Sequence, residues 1–134
     1  MIKKDFIFWS GLFFSIALFL CCNKKSNNST CLSFQAGTVT KVDGPNTGSV
    51  NQEFFLLVSF SCINDCGDFG YFEQSINGNT TTINVIARYE GCLCTQGTPI
   101  RQTIYKFSAA QTGTYYLKFF KTSGNYLIDT VTIR

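Results

Sequence analysis

The 134-residue sequence contains no histidine. Histidine serves as the general base of Ser-His-Asp and Cys-His sites and is the commonest protein ligand of zinc. Its absence excludes those nucleophilic mechanisms and leaves only thiol or carboxylate chemistry, without the partner that such chemistry normally uses. We therefore predict no catalytic site, no cofactor and no metal site.

Charged residues are also scarce, at 14% of the chain, and the formal net charge is only +3. The basic residues are scattered and form no patch interleaved with aromatic residues, so the electrostatic footprint of a nucleic-acid-binding protein is missing. In contrast, 45% of the residues are hydrophobic and 14 of them are phenylalanine, which is too apolar for a disordered chain. The sequence predicts one folded domain, with room for a leader.

A long apolar run lies near the N-terminus. Residues 1–4 include two lysines, residues 6–20 read FIFWSGLFFSIALFL, and residues 23–30 are all polar. A basic start, an apolar stretch and an abrupt polar stop are the parts of a secretory signal peptide. A transmembrane helix needs about 20 apolar residues, more than this run offers. An uncleaved signal anchor is the alternative.

The boundary of this run resembles the lipobox of bacterial lipoproteins, in which an apolar stretch and one small residue precede a lipidated cysteine. Cys22 matches the acceptor, with Cys21 in the small-residue position and Leu20 before it. Cys21 is the rival acceptor, although Leu20 would then be a poor small residue. The resemblance implies a thioether-linked diacylglycerol on Cys22, usually with a further acyl chain such as palmitate. Two or more chains anchor a protein stably to a membrane.

The resemblance also implies an address and a domain organisation. Asn23 follows the acceptor in place of the aspartate that retains many lipoproteins at the inner membrane, which favours the outer membrane. No acidic surface-export signal follows, which favours the periplasmic face. We expect a signal peptide over residues 1–21, a lipidated N-terminus and flexible spacer over residues 22–35, and a β-sandwich domain over residues 36–134.

The remainder of the sequence alternates between apolar and polar residues and has frequent turn residues, a pattern typical of β-strands. We predict seven strands, at residues 37–42, 53–62, 69–76, 80–90, 100–107, 114–121 and 126–134. In the second of these, Phe54, Leu56, Val58, Phe60 and Cys62 share one face. About seven short antiparallel strands in one domain favour an immunoglobulin- or fibronectin-like sandwich, with a small barrel as the alternative.

The segment at residues 107–119, FSAAQTGTYYLKF, resembles the corner between strands E and F of immunoglobulin-like domains. In those domains a tyrosine hydroxyl hydrogen-bonds to the backbone a few residues upstream. The resemblance assigns this tyrosine-corner role to Tyr115. The alternative is that Tyr115 simply packs in the core, as amphipathic tyrosines often do.

Cysteine placement gives the sharpest structural expectation. The dipeptide Asn77-Gly78 predicts a two-residue hairpin turn, and the ladder that follows from it brings Cys92 and Cys94 beside Cys62 and Cys66. In an oxidising compartment we expect nested disulfides, Cys62–Cys94 and Cys66–Cys92. The alternatives are another connectivity, a four-thiolate zinc site with unusual spacing, or reduced thiols. Cys31 would then be left over, either free or bonded to another chain.

Two weaker patterns have structural explanations. Asp65 and Asp68 could ligate calcium or act as an acid/base pair, but they also suit a solvated turn, which we favour. Tyr116 and Phe120 lie on the strand face opposite Tyr115 and could form a binding platform for a glycan or a protein. The favoured interpretation is that they cover the edge of the sandwich or shield lysine stems.

The sequence therefore predicts a non-enzymatic binding or accessory module, attached to the membrane through its N-terminal lipid, with an envelope protein or a glycan as its partner. The step from sandwich to binding module is an analogy between folds. A structural subunit of an envelope assembly is the first alternative. A small thiol- or carboxylate-based enzyme is the second.

Overall fold

The computed structural model describes residues 31–134, and this part of the chain is built from β-strands. The predicted signal peptide and the lipidation site at Cys22 lie outside the described residues. Eight strands follow in order: β1 Leu32–Asp43, β2 Thr47–Gly48, β3 Phe54–Ser61, β4 Gly67–Asn77, β5 Thr80–Glu90, β6 Ile100–Phe107, β7 Gly113–Thr122 and β8 Asn125–Ile133. Each of the seven predicted strands has a counterpart, and β2 is additional. Residues 31–134 include no helix that is long and apolar enough to span a bilayer.

The strands form a two-layered sandwich in which β1 belongs to both layers. Its first half, from Leu32 to Gly37, pairs with β5, and its second half, from Thr38 to Asp43, pairs with β3. One layer therefore contains β4, β5, β7, β8 and β2 together with the start of β1, and the other contains the end of β1, β3 and β6. The register of β1 shifts between Val39 and Lys41, where the strand passes along β3.

Two strand pairs are parallel, which corrects the expectation of a wholly antiparallel sandwich. β5 pairs with β7 in parallel from Thr80 to Ile83, and the short β2 pairs with β8 in parallel. The physical reason is that β6 lies in the opposite layer, so the chain crosses between layers before β7 and does not return through a hairpin. Apolar alternation in a sequence predicts where strands lie, but it does not indicate whether neighbouring strands run parallel or antiparallel.

The β4–β5 hairpin has a different register from the predicted one. Asn77 pairs with Thr80, so the two loop residues are Gly78 and Asn79. Gly78 adopts a φ of +57°, a left-handed conformation that glycine tolerates well. Further along, a bulge at Gly70 shifts the register again between Phe69 and Tyr71. At the turn, each residue of β4 therefore pairs with a residue of β5 two positions later than predicted.

The core consists of the inward-facing residues of both layers. The predicted inner face of β3 is buried along its whole length, as are Ile83, Val85, Ala87 and Tyr89 of β5. Between the layers, Tyr105 of β6 makes edge-to-face ring contacts with Phe72 and Phe119, at centroid distances of 5.0 and 5.6 Å. Full burial of one large apolar side chain is worth about 1.5–3 kcal/mol, so these residues supply the main stabilisation of the sandwich.

The open edges of β4 and β6 face each other and are joined by side chains. The Tyr105 hydroxyl donates a hydrogen bond of 2.7 Å to Oε1 of Gln74 in β4. Arg101 of β6 donates from Nε to the backbone carbonyl of Gly67, at the start of β4, over 2.9 Å. These bonds close one side of the sandwich without a strand pair.

The folded domain begins earlier than predicted. The predicted flexible spacer includes residues 32–35, but these residues pair with β5 from Glu90 to Ala87. The correction has a physical basis, because Leu32 and Phe34 alternate with Ser33 and Gln35 and the preceding Cys31 is covalently attached to the domain.

Candidate functional site

The cysteines converge at one end of the sandwich, as predicted, but their pairing differs. Cys31 is bonded to Cys92 and Cys66 to Cys94, with Cα–Cα distances of 5.0 and 5.5 Å. Both distances lie within the ordinary range for disulfides. The predicted pairs Cys62–Cys94 and Cys66–Cys92 were wrong, and so was the expectation that Cys31 is left over. We call this region, defined by the four bonded cysteines, the disulfide end.

The correction follows from the orientation of Cys62. Its side chain continues the inner face of β3 and is 2% exposed, whereas the four bonded cysteines lie around the outside of the same end. Cys62 is the one free thiol among residues 31–134. The ladder of the hairpin also does not extend to Cys62, since β3 pairs with β1 and β6 and not with β5. Cys62 lies at the same end of the fold as the bonded cysteines, but it cannot pair with them because its side chain is on the inner side of the sheet.

The surroundings of Cys62 make it a poor nucleophile. Burial raises the pKa of the Cys62 thiol, and a hydrogen bond with Tyr89 offsets this only in part. Burial also raises the pKa of Tyr89, whose hydroxyl accepts a hydrogen bond of 3.0 Å from the backbone N–H of Ile63. Because the thiolate is the reactive form of cysteine, this environment suits a packed side chain and not a redox centre.

Gly67 is required next to this thiol. A Cβ on Gly67 would lie 2.6 Å from both Cβ of Cys62 and Cε1 of Tyr89, closer than real Cβ contacts allow. Any larger residue at this position would have to displace Cys62 or the Tyr89 ring. The sequence-based reasoning did not identify this role of Gly67.

Arg101 is a second residue that the sequence-based reasoning missed. Besides its bond to Gly67, its Nη2 donates to the backbone carbonyl of Asp65 over 3.2 Å. One guanidinium thus secures two carbonyls of the loop that carries Cys66. In the sequence, nothing distinguishes Arg101 from the other scattered basic residues, because its partners are backbone atoms 34 and 36 positions away.

A cavity of about 410 Å³ opens at the disulfide end, lined by Cys66, Asp68, Phe69, Arg88 and Glu90. Its charged groups have partners within the domain. Arg88 forms an ion pair with Glu90 at 2.5 Å, and Oδ1 of Asp68 accepts a hydrogen bond from the N–H of Phe69. Glu90 is thus paired with a cation, and one oxygen of Asp68 is engaged by the backbone.

Two residues of the acidic turn, Asn64 and Asp65, make hydrogen bonds within the disulfide end. Oδ1 of Asn64 accepts the backbone N–H of Cys66 over 3.1 Å, and the N–H of Asp65 donates to the carbonyl of Thr95. Over residues 31–134, no three potential metal ligands of the His, Cys, Asp or Glu type are grouped together. The thiolate zinc alternative does not fit either, because the sulfurs of Cys66, Cys92 and Cys94 are in disulfides.

Tyr115 makes a hydrogen bond with the backbone of the β6–β7 connection. Its hydroxyl donates a hydrogen bond of 3.0 Å to the backbone carbonyl of Gln111, four residues upstream. Its ring also contacts Phe107, with a centroid distance of 5.5 Å. The residue therefore ties the β6–β7 connection to β7 and packs at the same time.

A second cavity, of about 400 Å³, lies at the opposite end of the sandwich, beside the β4–β5 turn. Residues Ile76, Asn79, Phe107, Gln111 and Tyr115 are among those that line it. We call the region around residues 76–79 the hairpin end. Here Nδ2 of Asn79 donates to the carbonyl of Thr114 over 3.1 Å, and Asn79 O accepts from the N–H of Tyr116. The polar groups named here are thus committed to holding β7 beside β5.

The predicted aromatic platform is partly covered. Tyr116 is exposed, and the ring of Phe120 makes an edge-to-face contact with Tyr126 at 6.3 Å. The ammonium of Lys118 lies 4.9 Å from the centroid of Tyr126, within the range of a cation–π contact. Phe120 is therefore partly covered by Tyr126, and the lysine contact is made by Tyr126 and by neither residue of the candidate platform.

Comparison with known proteins adds a family. A family model described as the ORF11 beta-sandwich domain matches residues 56–133, which is more than half of the chain. The matched part begins in β3 and ends at the last residue of β8, and it includes both Cys62 and the pair Cys66–Cys94. No curated protein and no solved structure matches the chain.

Proposed function

Since the chain belongs to the family of ORF11 beta-sandwich domains, whose description states an architecture and no activity, we propose a function from the chemistry of the domain and its N-terminal sequence. The protein is a lipid-anchored component of the bacterial envelope, attached through Cys22, and its sandwich acts as a non-enzymatic binding or accessory module. The outer membrane, at its periplasmic face, is the proposed location.

The two intramolecular disulfides carry this proposal. They use four of the five cysteines that follow Cys22, and disulfides of this kind persist in oxidising compartments such as the periplasm. A leader with the lipobox pattern precedes them in the sequence. The leader pattern and the disulfides are two independent features, and both suit an exported protein in an oxidising compartment.

The chemistry of the domain supports a binding role more than catalysis. The bonded sulfurs are not nucleophiles, and the free Cys62 is buried with a raised pKa. The chain has no histidine to act as a base. A glycan or an envelope protein is the proposed partner class.

The finer fold relationship is also part of the proposal. The hydrogen bond from Tyr115 to Gln111 supports a relationship to immunoglobulin-like sandwiches. The parallel pairing of β5 with β7 departs from the arrangement of those domains, so the relationship is confined to the corner and the two-layered architecture.

Metabolic labelling with palmitate and an intact mass of the membrane-purified protein test the anchor. We expect an acylated chain that starts at Cys22, with label lost in Cys22→Ala and kept in the matched control Cys21→Ala. Alkylation after denaturation should modify one thiol without reductant and five with it. An unlabelled, full-length wild-type chain would refute the proposal.

Purification in mild detergent tests the binding role. Stable recovery of one protein at fixed stoichiometry would favour a structural subunit of an envelope assembly. A soluble glycan that raises the melting temperature of the purified protein would favour a binding module, because a ligand that binds only the native state stabilises it.

A further inference from the structure

The disulfide end exposes aliphatic side chains on three separate segments. Leu93, between the two bonded cysteines 92 and 94, is 96% exposed, Ile63 is 54% exposed and Leu32 is 49% exposed. A leucine with almost its whole surface in water is normally found in a mobile loop. Here it lies between two disulfides, so it is presented on a rigid support.

The three segments are bonded to one another. The N–H of Gly91 donates to the carbonyl of Cys31 over 2.9 Å, and Asn64 forms a bridge with Gln96. The backbone segments that carry the three residues are therefore tied together at one end of the sandwich. Three exposed aliphatic residues on connected segments call for an explanation that singly scattered surface residues do not.

The chain enters the domain at this same end. Cys31, the first described residue, is bonded to Cys92, directly next to Leu93. The eight residues from 23 to 30 span at most about 28 Å even when fully extended. If Cys22 carries the lipid, as proposed above, Leu93 is held within a few nanometres of the bilayer at all times.

We propose that the disulfide end docks on the lipid bilayer, with Leu93 inserted among the acyl chains near the headgroups and Ile63 and Leu32 beside it. This inference rests on the proposed lipid anchor. The anchor makes docking an intramolecular step with a high effective concentration, so a contact too weak to recruit a free protein is sufficient. Aliphatic side chains at such a surface penetrate about 5–10 Å into the boundary of headgroups and acyl chains.

The charges at the disulfide end indicate what kind of lipid surface it would bind. Arg88 is paired with Glu90, and Arg101 is engaged with backbone carbonyls. Asp65 and Asp68 have no side-chain ion pair among the described residues. The end therefore carries no excess of positive charge, and docking should occur on zwitterionic lipid and vary little with salt.

An introduced tryptophan provides the test. The only tryptophan of the sequence, Trp9, lies in the proposed leader, so the mature protein has no other tryptophan emission. The mature, acylated protein carrying Leu93→Trp is reconstituted into phosphatidylcholine vesicles with or without bromine on the upper acyl chain. We expect bromine to lower its emission by at least about twofold, a change produced only by contact with the apolar boundary. The matched control is Ile76→Trp, at the 69% exposed tip of the hairpin end, whose emission should not change.

The outcomes separate the two proposals. An acylated protein whose tryptophan at position 93 is not quenched, or is quenched no more than that at position 76, overturns docking and leaves the anchor intact. Absence of acyl chains in the mass spectrum refutes the anchor and docking with it. A third outcome is that bromine does not quench the emission in vesicles but the emission is blue-shifted in isolated envelopes. This outcome would assign the disulfide end to a protein partner and would also overturn docking. If Leu93→Trp fails to form both disulfides, Ile63→Trp takes its place.

Discussion

Removing the disulfide Cys66–Cys94 by the double substitution Cys66→Ala/Cys94→Ala tests both the pairing and the contribution of this bridge to stability. The bridge closes a segment of sequence separation 28, for which the chain-entropy relation gives a stabilisation of about 3.6 kcal/mol. A domain of about 100 residues typically has 5–15 kcal/mol of stability, so we expect the variant to fold but to be much weaker.

Urea unfolding followed by circular dichroism measures the loss. With a slope of about 1.5 kcal/mol/M, the midpoint should fall by about 2.4 M relative to the oxidised wild type. Cys62→Ala is the matched control, because it removes a cysteine from the same end without removing a bridge. This control should lose stability only through the small cavity that the substitution leaves in the core. It should have no alkylatable thiol after denaturation.

Two results would refute this reasoning. One is a double variant whose midpoint stays within about 0.5 M of the wild type, since the bridge would then contribute less than 1 kcal/mol. The other is a Cys62→Ala protein with two alkylatable thiols, because Cys62 would then be a bonded cysteine and the assigned pairing would be incorrect.

Three further substitutions examine other parts of the domain. Tyr115→Phe should cost about 1 kcal/mol in urea unfolding by removing the hydrogen bond to Gln111, whereas Tyr116→Phe, on the exposed face, should be neutral; equal effects would contradict the corner. Burial raises the pKa of Asp129, so Asp129→Asn should stabilise the protein at pH 7. That gain should shrink as pH falls through the raised native pKa and vanish below about 3.9, the usual unfolded value, and a gain that grows in acid would reverse the sign of the argument. Gly67→Ala should cost about 1–3 kcal/mol in thermal or urea unfolding by overpacking, and a neutral result would show that the neighbouring thiol moves aside.

Most strands of this domain were predictable because their residues alternate between a covered and an exposed face. Alternation identified the inner residues of β3, and the predicted bounds of β5 and β6 match those in the structure. The two-residue β2 was missed because a strand of that length has no measurable period. Strand direction was also out of reach, since the parallel pair of β5 and β7 depends on a crossing between layers.

The cysteine cluster shows where local reasoning stops. Turn chemistry correctly brought Cys66, Cys92 and Cys94 to one end, but the pairing depends on which side of the sheet each sulfur occupies. The alternation of β3 already placed Cys62 on the inner face with Phe60, and greater weight on that pattern would have predicted its burial. The partner of Cys31 required knowledge that β1 starts at Leu32 and lies beside the end of β5.

The closure between β4 and β6 limits how this protein can recruit other chains. Exposed strand edges are ready templates for an incoming strand, both in peptide recognition and in aggregation. Where Arg101 occupies the carbonyl of Gly67 and Tyr105 reaches Gln74, an incoming strand would have to break both contacts before it could add to that side. Strand addition and edge-to-edge aggregation are therefore disfavoured on the β4–β6 side of the sandwich.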